Sequence, residues 1–67
     1  MAVSDETRRA LREMGLTDYE SRAYLILLTL GTMNASQLSN LADLPYSKVY
    51  NVLKSLERKG WINVEDG

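Results

Sequence analysis

Apolar residues recur at helical spacing four times along the chain, each run bounded by glycine or proline. Val3, Ala10, Leu11 and Met14 share one helical face, which predicts a first helix over residues 1–14. Ser4 is placed to cap it, Asp5 and Glu6 suit the positive end of the helix dipole, and Gly15 supplies the stop. A second helix is predicted over 17–30. Thr17 and Glu20 have the spacing of a capping box, and Leu16 stands where a hydrophobic staple begins. Ala23, Ile26, Leu27 and Leu30 form one stripe, with Tyr24 and Leu28 on its flank. A helix apolar on so many sides is expected to be the buried centre of its domain.

Gly31 ends that helix, and Asn34 with Gln37 repeats the capping-box spacing at the start of a third, over 34–42. Its apolar face is Ala35, Leu38, Leu41 and Ala42. Asp43-Leu44-Pro45 then breaks the helix, because a residue before proline is pushed out of the α region. Pro45 suits the first turn of a fourth helix over 45–59, where its missing N–H costs nothing. Val49, Val52, Leu53 and Leu56 follow the i, i+3, i+4, i+7 pattern, and Lys59-Gly60 makes a basic last turn with a glycine stop. Residues 61–64 read as a short strand by alternation, and 65–67 as a hairpin turn whose second strand lies outside the chain.

Two short helices joined by a three- or four-residue break and packed on a hydrophobic helix define a helix-turn-helix. A following strand makes it the winged variant. The expected fold is therefore mainly α, a winged helix-turn-helix: a three-helix core plus an N-terminal helix and a short, truncated β-wing (61–67). The whole chain, 1–67, reads as one domain.

Composition narrows the chemistry. With 67 residues, the chain buries only about 60% of its unfolded surface. It has no cysteine and no histidine, so thiolate and imidazole metal sites and Ser/His or Cys/His nucleophile pairs are excluded. No enzyme, metal or cofactor is expected. Tyr19, Tyr24 and Trp61 read as packing residues, and Met14 and Met33 as gap fillers. No signal peptide reads from the N-terminus, and the apolar cluster at 24–28 is far too short to span a bilayer. A cytoplasmic protein without a membrane partner is expected.

The net charge is −1, but its distribution is uneven. Between residues 13 and 43, Glu13, Asp18, Glu20 and Asp43 face only Arg22. Between 45 and 60, Lys48, Lys54, Arg58 and Lys59 face only Glu57, and Arg8, Arg9 and Arg12 add basic charge near the N-terminus. At about 100° per residue, the apolar stripe of the fourth helix occupies one side. Ser47, Asn51, Lys54 and Arg58 fall on the opposite side, with Lys48 and Tyr50 flanking and Tyr46 at the helix start. Hydroxyls and cationic heads suit phosphates, and an asparagine amide pairs bidentately with adenine in the major groove. These seven residues are the expected DNA-binding set, and double-stranded DNA the expected partner.

Two motifs then carry a likeness. Leu16-Thr17-Asp18-Tyr19-Glu20, Ala23-Tyr24, Leu27-Leu28 and Gly31 resemble G-L-T-x-Y-E-A-x-A-Y-x-x-L-L-x-x-G, the opening of the TrmB-like winged-helix domain of archaeal transcriptional regulators. The segment from Pro45 through Ser47-Lys48-Val49-Tyr50 to Glu57 resembles that family's P-R-S-K-V-Y-D-V-L-x-S-L-E block. The resemblance implies sequence-specific DNA binding in transcription regulation, with Ser47, Lys48, Val49 and Tyr50 opening the recognition helix. Tyr46 stands where the family often has arginine, exchanging a charged contact for stacking or a hydroxyl contact. Asn51 stands where aspartate is common, which removes a negative charge from the DNA face. The long effector-binding part of many such proteins has no counterpart, so no small-molecule effector is expected, and an end in mid-wing favours a fragment.

The competing reading is a protein-protein interaction module within transcription or chromosome machinery, motivated by the acidic middle of the chain. A homodimer is a further expectation, with the first helix as its contact, because pairing adds burial to a short chain.

Overall fold

In the computed structural model, which describes residues 5–64, four helices follow one another: α1 (Asp5–Glu13), α2 (Asp18–Leu30), α3 (Ala35–Leu41) and α4 (Tyr46–Arg58). The expected cap at Ser4, the contact of Val3 and the turn at 65–67 lie outside the described residues. Helix α2 packs against each of the other three, and α4 also packs on α3. Leu11, Leu16, Ala23, Leu38, Ala42, Leu44, Val49, Val52 and Leu56 make the core between them.

Local sequence explains each helix end. Thr17 Oγ1 accepts from Glu20 N at 3.1 Å and Glu20 Oε1 accepts from Thr17 N at 2.8 Å. Asn34 and Gln37 make the same reciprocal pair at the start of α3, at 2.9 and 3.1 Å. Both expected capping boxes are therefore present. At the end of α4, Gly60 has φ 87°, Gly60 N donates to Glu57 O, and Trp61 N donates to Leu56 O. This is a Schellman closure, and it needs a residue that tolerates positive φ.

The break between α3 and α4 differs from the sequence-based account. Pro45 is the residue before α4, with φ −58° and ψ 130°, instead of its first helical residue. The chain reverses earlier, at Asp43, whose φ is 55°. Leu44 N then donates to Ser39 O at 2.9 Å, the longer of the two bonds of a Schellman turn, made here without a glycine. Aspartate tolerates this left-handed region better than most residues.

Three further expectations need correction. Helix α2 is not buried all round: Leu28 is 66% and Leu30 58% exposed, and its buried residues Glu20, Ser21 and Ala23 lie in its first half. Leu41 and Met14, assigned to apolar faces, are also exposed. Four short helices do not supply enough neighbours to enclose both ends of a 13-residue helix. Finally, residues 61–64 form no strand. A strand needs a ladder partner for its N–H and C=O groups, and none is present among the described residues. Instead Val64 N donates to Glu57 Oε2 at 3.2 Å. Trp61 still anchors this segment, edge-on to Tyr24 with ring centroids 5.0 Å apart.

Candidate nucleic-acid interface

Helix α4 divides cleanly by burial. Val49, Val52 and Leu56 are buried and Leu53 is half-buried. Tyr46, Ser47, Lys48, Tyr50, Asn51, Lys54 and Arg58 are all exposed. The structure thus brings the seven residues singled out in the sequence onto one solvent-facing surface. The only acid of α4, Glu57, lies in its last turn. No side chain caps the start of α4 and no acid occupies its first turn, so the positive end of the helix dipole stays available to an anion.

Two groups of contacts hold α4 in place, one at each end. At the turn before it, Ser39 Oγ donates to Leu44 O at 2.6 Å and Arg22 Nη1 donates to Asp43 O at 3.0 Å. Arg22 also pairs with Asp18 at 3.1 Å and lies over the Tyr19 ring at 5.0 Å. One side chain on α2 thereby ties down the reversal that aims α4.

The second group was not visible in the sequence. Glu20, only 3% exposed, accepts from Ser55 Oγ on α4 and from Lys59 Nζ, the latter at 2.7 Å. Lys59 Nζ also donates to Gly15 O at 2.9 Å. Burial by itself would raise the Glu20 carboxyl, but donation from Lys59, Ser55 and Thr17, with the Lys59 charge, lowers it to about 2. Glu20 is therefore both the capping-box partner of Thr17 and a clip between α2 and the far end of α4. Sequence spacing shows the first role, since it is local. The partners of the second are 35 and 39 residues away.

This clip pairs the charge of Lys59 with Glu20, so Lys59, although exposed, adds less to the basic surface than its position suggests. Of the N-terminal arginines, Arg8 pairs with Asp18 at 3.3 Å, while Arg9 and Arg12 are exposed on α1. Helix α1 packs on α2 and does not extend the α4 surface. No group of three or more metal-ligating side chains occurs among the described residues, and no helix there is long and apolar enough to cross a membrane.

Comparison with known proteins identifies the family. The family described as "Sugar-specific transcriptional regulator TrmB" matches residues 11–67. The HTH-type sugar sensing transcriptional regulator TrmBL1 of Pyrococcus furiosus is 40% identical over 65 residues, covering 97% of this chain and 19% of that protein. The DNA-binding HTH-type transcriptional repressor TrmBL2 of Thermococcus kodakarensis is 35% identical over 66 residues, covering 97% and 25%. Uncharacterized protein YrhO of Bacillus subtilis is 37% identical over 57 residues, covering 85% and 21%. The chain spans a quarter or less of the length of these relatives. No solved structure gives a significant match. With helix order, turn and family match in agreement, the chain belongs to the TrmB family of helix-turn-helix transcriptional regulators.

Proposed function

We propose that this chain is a sequence-specific, double-stranded DNA-binding module of a transcription regulator, and that it lays α4 in the major groove. The observation that carries this reading is the α4 surface: Lys48, Lys54 and Arg58 exposed beside Ser47 and Asn51, with no acid before Glu57. An ordinary solvated helix mixes both signs of charge, whereas a surface meeting phosphates excludes acids. Lys48, Lys54 and Arg58 contact phosphates in this reading, and Asn51 reads a base edge. The module has no catalytic role and works in the cytoplasm, where the DNA is. Two copies would read half-sites about 34–36 Å apart or a multiple of that.

Binding of a fluorescent duplex, titrated by anisotropy across salt concentrations, tests the proposal. Affinity should fall linearly with salt on logarithmic axes, and Lys54→Ala should lower the slope by about 1. Lys59→Met, checked for folding by circular dichroism, should change the slope less than Lys54→Ala, since the charge of Lys59 is already paired with Glu20 at 2.7 Å. Affinity indifferent to salt would instead favour a protein-interaction module, whereas equal slope losses from the two substitutions would show that Lys59 meets phosphates as well.

A further inference from the structure

The exposed face of α4 carries two large rings that the core does not use. Tyr46 and Tyr50 are 55% and 56% exposed and lie one helical turn apart. Their rings meet edge-on, with centroids 6.3 Å apart and planes at 88°. The Tyr50 hydroxyl nearby pushes the Tyr46 phenol above its ordinary value. Together the two half-exposed rings offer a patch of aromatic surface outward. Lys54 follows one turn beyond Tyr50 on the same exposed face, Lys48 is exposed at the far edge of that face, and the stripe of Val49, Val52 and Leu56 packs into the core.

Keeping this much aromatic surface in water is unfavourable, and its cationic surroundings fit an anionic polymer. Along the major-groove edge of a base pair, the apolar group on offer is the C5-methyl of thymine. We propose that Tyr46 and Tyr50 form a two-ring ledge that reads thymine methyl groups, making the preferred site depend on thymine opposite the first two turns of α4. This rests on the major-groove reading of α4 and adds the base chemistry that it selects. It also gives Tyr46 a role that an arginine at that position would not fill, because a guanidinium favours guanine.

Replacement of thymine by uracil is the direct probe, since it removes the methyl and keeps the pairing. A duplex recovered by the wild-type chain from a random pool is resynthesised with deoxyuridine at one thymidine position at a time. One or two positions should weaken wild-type binding about fourfold each, the effect of exposing one buried carbon. Tyr46→Phe should keep that sensitivity, since the ring remains. Tyr46→Ala with Tyr50→Ala should abolish it while leaving the salt slope unaltered, because the lysines are untouched. Both tyrosines are on the surface, so the fold survives their loss. Uracil tolerated at every position of a duplex that still binds would overturn the ledge and leave DNA binding standing. Recovery of no duplex would remove the major-groove reading itself, and the ledge with it.

Discussion

Glu20→Gln is expected to destabilise the chain by up to about 3 kcal/mol at neutral pH and to erase most of its acid sensitivity between pH 5 and pH 2. Glutamine keeps the size of the side chain and an acceptor oxygen, so it imitates the protonated acid. The carboxyl of Glu20 lies at about 2 in the folded chain against an ordinary 4.5. Each pKa unit corresponds to about 1.4 kcal/mol, which sets the size of the effect as an upper bound. Because the folded value is the lower one, the stabilisation is fully present above 4.5 and is lost as pH falls toward 2. Wild type and variant should therefore differ at pH 7 and converge near pH 2. Urea unfolding at the two pH values measures both. A difference of equal size at both would show that the charge of Glu20 is not what Lys59 and Ser55 hold. A domain of this size has on the order of 3–10 kcal/mol in total, so the loss is a large fraction.

Leu56→Ala should cost about 2–5 kcal/mol, while Leu28→Ala should cost well under 1 kcal/mol. Leu56 is fully buried on the inner face of α4, so truncation leaves a cavity between α4 and the helices beneath it. Leu28 lies on the helix expected to be most buried, yet it is mostly exposed. Thermal melts separate the two: for a domain this small, 1 kcal/mol moves the midpoint by roughly 4–8 °C. Comparable losses from both substitutions would mean that the exposed side of α2 is covered by something else in solution.

The contrast between these leucines shows what the sequence carries and what it does not. Both capping boxes were legible because their partners are three residues apart. The α4 stripe was legible because one face packs and the other does not. Periodicity identified α2 as apolar but did not show where its neighbours end, since burial depends on how many helices reach each turn. The break at Asp43-Leu44-Pro45 was legible from Pro45, whereas the left-handed turn at Asp43 and its hold by Arg22 from another helix were not. The strand at 61–64 failed for a related reason, because β-propensity is realised only against a pairing strand.

The seven α4 residues were selected by angle and residue type, and the fold places all of them on the solvent side. Lys59, outside that set but counted in the basic charge of residues 45–60, shows the limit of counting charges along the chain. Adjacent in sequence to Arg58, it faces a buried carboxylate 39 residues away. Counting it in full among DNA-facing cations would overstate the basic surface.

The central claim is that the exposed face of α4 is the surface that meets DNA. A chemical-shift titration of the isotopically labelled chain with duplex DNA tests it residue by residue. The account predicts perturbations concentrated at Tyr46, Ser47, Lys48, Tyr50, Asn51, Lys54 and Arg58, with Arg9 and Leu28 unmoved. Shifts that leave this set untouched while α1 or the acidic face of α2 responds would contradict it.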